Sequence, residues 1–199
     1  MNKLVKGAIA TAVGAALLMG GAGTFAYWND SVGVNGGTIV AGNLAVADAT
    51  PTDGVWTVQK DGTGTAVAVA NIASFVASPG DKFTYTKNVK ITATGNNLVA
   101  TLALTPGSVA AVTPATAANT ALASYLTSTS AITATGTGIS AGTVAGTYNV
   151  TAGAAGVSAR DVTVTVVITF PKSTTAGFEN NTKLGSVNLS GLAVTLNQQ

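Results

Sequence analysis

Asp161-Val-Thr-Val-Thr-Val166, carried on by Val167, Ile168, Thr169 and Phe170, is the stretch that most narrows what this chain can become. Successive side chains of an extended strand point to opposite faces, so Val162, Val164, Val166 and Ile168 would share one apolar face. The doublet Val166-Val167 marks the one place where a bulge would shift the faces. Thr65-Ala-Val-Ala-Val-Ala70 and Lys82-Phe-Thr-Tyr-Thr86 alternate in the same way. Further strands are expected over residues 37–47, 54–60, 89–94, 98–104, 130–135, 146–151 and 184–197. Turn-forming residues punctuate them at Thr52-Asp-Gly54, Ser78-Pro-Gly-Asp81, Gly95-Asn-Asn97 and Thr105-Pro-Gly107. Many short strands with frequent turns predict an all-β chain, a jelly-roll-like β-sandwich.

One segment departs from this pattern. Thr113-Pro114 precedes an alanine-rich run to Leu126, which predicts a short inserted helix over about 114–126, with Thr113 as N-cap and Pro114 at the first helical position. Leu122, Tyr125 and Leu126 would share its docking face. The glycine-rich stretches 136–142 and 153–156 read as loops.

The N-terminus is of a different kind. Lys3 and Lys6 precede an apolar run from Ala8 to Ala22, and Thr24-Phe25-Ala26 supplies small residues before a cut. This is the layout of a secretory signal peptide over residues 1–26. The apolar run is shorter than the ~20 residues that span a bilayer, so a mature form without a membrane span is expected, secreted or at the cell surface. Lys3 and Lys6 account for the whole excess of nine basic over seven acidic residues. A mature chain near neutrality offers no electrostatic grip on nucleic acid or anionic membrane, and no repulsion between copies.

The available chemistry is narrow. The chain has no histidine and no cysteine. That excludes a Ser-His-Asp triad, a thiol nucleophile, thiolate and histidine zinc sites and iron–sulfur clusters. The acids are Asp30, Asp48, Asp53, Asp61, Asp81, Asp161 and Glu179, no two within four residues of each other. Nothing marks a carboxylate pair for hydrolysis. Asp48, Asp53 and Asp61 lie on neighbouring Gly- and Thr-rich segments, but their spacing is not that of a calcium loop, and solvated turn residues are the better reading. Neither Gly62-Thr-Gly64 nor Gly136-Thr-Gly138 opens a helix as a phosphate loop would. No enzyme activity and no cofactor are expected. Asn29, Asn149, Asn180 and Asn188 begin N-glycosylation acceptor triplets, which arise readily in a chain so rich in Asn, Ser and Thr.

Several stretches, in order along the chain, resemble the TasA/camelysin family of secreted fibre-forming proteins. Leu18-Met-Gly-Gly-Ala-Gly-Thr-Phe-Ala-Tyr-Trp-Asn-Asp30 is similar to the junction cut by a dedicated SipW-type signal peptidase. Gly37-Thr-Ile-Val-Ala-Gly-Asn-Leu-Ala-Val46 is similar to the family's first strand. Ala77-Ser-Pro-Gly-Asp81, followed by Lys87-Asn-Val-Lys-Ile-Thr-Ala-Thr-Gly-Asn96, resembles its Pro-Gly-Asp turn and the strand after it. The close resembles the family as well: the strand from Val162 to Phe170, then Glu179-Asn-Asn181 and a last strand from Val187 to Asn197. The chain departs from the family in its very low charge.

What the resemblance implies is self-association into homopolymeric filaments, as in biofilm matrix fibres and archaeal bundling pili, by donor-strand exchange. A mature N-terminal segment leaves its own domain and completes the sheet of the next copy. The donor would be residues 27–36, protruding from a β-sandwich domain over 37–199, with Tyr27, Trp28, Val32 and Val34 as the assembly residues. Val32 and Val34 share one face at period two. A metalloprotease label carried by some relatives does not transfer to a chain without histidine or cysteine. The contrasting reading is a monomeric cell-surface adhesin or carbohydrate-binding module, whose aromatic platform would be Trp56 with Tyr85 or Tyr148.

Overall fold

The computed structural model describes residues 2–21, 37–49, 54–152 and 159–199. The described strands are β1 (Asn43–Asp48), β2 (Val55–Gln59), β3 (Val67–Val69), β4 (Lys82–Thr94), β5 (Val99–Leu104), β6 (Ala110–Ala111), β7 (Ala131–Gly136), β8 (Ile139–Ala141), β9 (Thr147–Thr151), β10 (Arg160–Thr169), β11 (Val187–Asn188) and β12 (Val194–Gln198). The helices are α1 (Lys3–Gly21) and α2 (Ala117–Thr127), with three short 3-10 turns. The chain forms two compact units, Met1–Ile39 with α1 and Val40–Gln199 with every described strand. Among the described residues no helix is long and apolar enough to cross a membrane.

The alternating stretch that begins at Asp161 is β10, and its two faces separate as its pattern requires. Val162, Val164, Val166 and Ile168 are buried, while Thr163, Thr165, Val167 and Thr169 are part-exposed. No bulge interrupts it: the antiparallel register with β4 runs unbroken from Arg160↔Ile91 to Thr169↔Lys82. β10 lies between β4 and β7 in a sheet of order β3-β2-β4-β10-β7. β2 pairs with Lys82–Thr86 of β4, and β1 joins β4 further along, from Asp48↔Val89 to Asn43↔Thr94. A second antiparallel sheet has the order β12-β5-β9-β8, and β11 pairs with β6 in a third. The two larger sheets contribute to one hydrophobic core, with Ile91, Val162 and Ile168 from the first and Ala100, Leu102 and Val150 from the second. The chain is thus all-β, several antiparallel sheets with only two helices among the described residues.

Ser78-Pro-Gly-Asp81 is the clearest case of turn chemistry fixing a strand end. Pro79 and Gly80 occupy the central positions, and Gly80 has φ +104, as the third residue of a type II turn requires. The Asp81 amide donates to the Ser78 carbonyl (3.0 Å), and the buried Asp81 carboxylate accepts from the Ser78 amide (2.8 Å). Gly80 and Asp81 also exchange main-chain bonds with Phe170, which tie the start of β4 to the end of β10.

The inserted helix is present, but its cap is not where the sequence suggested. Thr116, not Thr113, is the N-cap, its Oγ1 accepting from the Asn119 amide (3.1 Å), so the helix begins at Ala117. Pro114 lies before the helix, on a cis Thr113-Pro114 bond, and not at its first position. Leu122 and Leu126 are buried, and Tyr125 packs edge-on against Phe170 with ring centroids 6.1 Å apart. The buried Asn119 holds the helix to the strands beside it. Its Nδ2 donates to the Val112 (3.2 Å) and Pro114 (3.4 Å) carbonyls, and its Oδ1 accepts from the Ser186 amide (2.9 Å). Asn119→Ala strips partners from these backbone groups, at about 1–3 kcal/mol for each one left unsatisfied. An overall loss of about 2–3 kcal/mol is expected, read as a lower urea midpoint at unchanged slope.

Other boundaries moved for physical reasons. β1 starts at Asn43 rather than 37, because Gly42 lies so close to the Thr94 carbonyl that a Cβ there would sit 2.1 Å from its oxygen, while Ile39 and Val40 are exposed with no ladder partner. The expected last strand 184–197 is divided into β11 and β12. Between them the Ser190 amide donates to Asn188 Oδ1 (2.8 Å) and the Leu192 amide to the Leu189 carbonyl (3.0 Å), turning the chain. The stretch 136–142, expected as loop, holds the short strand β8. The loop expected at 153–156 lies outside the described residues.

Candidate functional site: an apolar cleft between the sheets

Phe83, Tyr85, Lys87, Val89, Ile91 and Ala93 are alternate residues of β4 and share its inner face. Four of them are buried in the core, but Lys87 breaks the apolar row. Its cross-strand partner is Val164. β2 leaves β4 after Thr86 and β1 joins it only at Val89, so Lys87 stands at the gap between them. Here a cleft of about 410 Å³ opens between the sheets. Val46 and Asp48 of β1, Tyr85, Lys87 and Val89 of β4, and Val164 and Val166 of β10 line one side; Leu104 of β5 and the segment Leu192–Val194 line the other.

The lining is mostly aliphatic, with one charged pair. Lys87 Nζ lies 3.0 Å from Asp48 Oδ1, the lysine side chain 23% exposed and the aspartate 60%. The ammonium is thus half withdrawn from water and held at the rim by a carboxylate in solvent. β1 is a thin wall: Leu44 is half-buried against the core, while Val46, Ala47 and Asp48 are exposed. A cavity of about 150 Å³ accepts benzene. The cleft therefore has room for two or three apolar side chains on an added strand. A second hollow, of about 480 Å³, is lined by Val40–Gly42 and Thr94–Asn97 and offers no apolar row.

The other described carboxylates serve the fold. Asp61 pairs with Lys172 (3.4 Å), Asp161 with Lys90 (2.7 Å), and Glu179 accepts from the Ser173 amide. Among the described residues no three acids gather into a group that could hold a metal ion. Asp48 and Asp61 are thus in ion pairs, and Asp53 and Asp30 lie outside the described residues. The Tyr125 phenol is pushed above its ordinary pKa by desolvation and then by the Glu179 charge, the wrong direction for a general base.

The aromatic platform of the adhesin reading is turned inward. Trp56 and Tyr85 stack on each other with centroids 4.9 Å apart, and the Tyr85 hydroxyl accepts from the Gly54 amide (3.1 Å). Both, like Tyr148, are half-buried against the core. Tyr27, Trp28, Val32 and Val34, the assembly residues expected from the sequence, lie outside the described residues. Sequence reasoning did not find the cleft. Its only local signal was the lysine at 87, on the parity of an inward row.

Comparison of the chain with protein-family models, with curated proteins and with solved structures gives no match.

Proposed function

We propose that the chain is the structural subunit of an extracellular filament, exported by its N-terminal segment and polymerised head to tail by donor-strand exchange. In this reading the two larger sheets are the layers of a jelly-roll-like β-sandwich, and the cleft is the acceptor. The donor is the segment around Tyr27, Trp28, Val32 and Val34 of the preceding copy. The observation that carries the proposal is the cleft itself. Its aliphatic inner-face residues reach the rim at Val46 and Val194, where a strand bearing valines at period two would continue the core. Head-to-tail donation does not close on itself, so it propagates a fibre. The near-neutral charge without Lys3 and Lys6 leaves no long-range repulsion to oppose it. The subunit has no catalytic role.

Electron microscopy of the purified secreted protein tests this, with Val46→Trp beside the wild type. Val46 is 39% exposed, so the larger side chain fits without unpacking the core, at a cost of no more than about 1 kcal/mol. It occupies the cleft, so filaments are expected from the wild type and folded monomers from the variant. A wild type that stays monomeric at every concentration would favour the adhesin reading. Unchanged filaments from Val46→Trp would remove the cleft as acceptor.

A further inference from the structure

The strand edges of the two larger sheets are not equally exposed. β7 lies beside β8 and β9, and β12 lies beside β1. Among the described residues β3 is a terminal strand of its sheet and pairs with β2 alone. Its outer main-chain groups therefore face outward, the arrangement that recruits a strand from another molecule.

Three features of this edge select the partner. First, Ala66-Val-Ala-Val-Ala70 reads the same in both directions about Ala68. An antiparallel pair of two such strands on a two-fold axis through Ala68 sets each Val67 opposite Val69 of the second copy, and each alanine opposite an alanine. Second, no charged residue occurs between Asp61 and Asp81. A homotypic edge brings identical residues together, and like charges directly opposite would oppose pairing. Third, the inner side of the edge is unfinished. Val67 and Val69 pair with Val58 and Trp56, which pack on the core, yet Val67 is 61% exposed. A two-fold axis normal to the sheet keeps the inner faces of both copies on one side, so the second copy's Val69 covers Val67.

We infer that the outer edge of β3 is a homotypic docking edge, at which a second copy of the chain adds its own β3 antiparallel about Ala68. This is lateral, isologous pairing, distinct from head-to-tail donation through the cleft, and it does not depend on it. A window of five residues makes only a few main-chain bonds. Two isolated chains pair weakly, and the edge gains effect where many copies are held side by side.

The full chain has no cysteine, so a single Ala68→Cys reports this contact cleanly. Directly opposed residues of an antiparallel pair have Cα atoms roughly 4.5–5.5 Å apart, within the reach of a disulfide. Ala68 is exposed, so the substitution leaves the core intact. Under mild oxidation Ala68→Cys is expected to form covalent dimers at least about ten times faster than Val144→Cys, a control in an exposed turn. Adding Val67→Lys to Ala68→Cys should return the rate to that of the control. Equal rates for the two cysteine variants, no dimer at all, or a dimer that Val67→Lys leaves unchanged would each overturn the inference, the second pointing to another occupant such as the N-terminal segment. Repeating the oxidation in a chain lacking residues 27–35 separates the two readings: the covalent dimer of the Ala68→Cys variant persists there whether or not filaments do.

Discussion

Val162→Asp is expected to leave no folded protein. Val162 is fully buried, with Val89 opposite it on one neighbouring strand and Gly136 on the other. The change forfeits about 1.5–3 kcal/mol of apolar burial and sets a carboxylate between a valine and a glycine, neither of which can compensate its charge. An uncompensated buried charge costs several kcal/mol more, against a total stability of roughly 5–15 kcal/mol for a domain. Loss of soluble expression and of the β-sheet circular dichroism signal would register it. The informative contrast is Val164→Asp, two residues along the same face and 5% exposed. By pattern the two positions are equivalent. Val164, however, is directly opposite Lys87 and lines the cleft. An aspartate there meets an ammonium and has access to water, so a folded but weakened protein is expected. If both variants unfold alike, the cleft is drier and Lys87 more firmly committed to Asp48 than the geometry implies.

That contrast shows where the sequence was legible. β10, β7 and β9 could be read directly because one face of each packs on the core, and burial enforces period two in their residues. The docking face of α2 was legible for the same reason at helical spacing, and the Pro-Gly-Asp turn because it needs a positive φ at one position. β4 was legible only in halves. Lys87 and Asn88 interrupt its apolar pattern, so 82–86 and 89–94 read as separate strands. Unbroken pairing with β10 makes them one. Nothing local to Lys87 specifies that partner. β6 and β8 are two or three residues long and exist because of the strand beside them, so no periodicity announces them. The helix start was misplaced because Thr113-Pro114 and Thr116 both satisfy a capping rule, and the bond from Asn119 chooses between them. The cleft is the extreme case, assembled from residues near 46, 85–89, 104, 164–166 and 192–194, which only the sheet topology brings together.

Removal of Tyr27-Trp-Asn-Asp-Ser-Val-Gly-Val-Asn35 is expected to give a folded chain that no longer polymerises. The unit Val40–Gln199 contains every described strand and the core described among them, so the described packing between the sheets is retained on deletion. What it removes is the proposed occupant of the next copy's cleft. A strand of this length forms several main-chain bonds at about 1 kcal/mol net each and buries two or three apolar side chains at about 1.5–3 kcal/mol each. That is enough to hold a fibre together after the cost of association. The excised peptide, added in trans, should bind the cleft and raise the melting temperature of the truncated chain in proportion to the logarithm of its concentration. The Val46→Trp chain carrying the same deletion should not respond, since its cleft is filled from within. Melting curves with and without peptide, with negative-stain images of each form, measure both effects. Filaments that persist without residues 27–35 would exclude this segment as donor. A peptide that stabilises the truncated chain and the Val46→Trp form alike would place its binding outside the cleft.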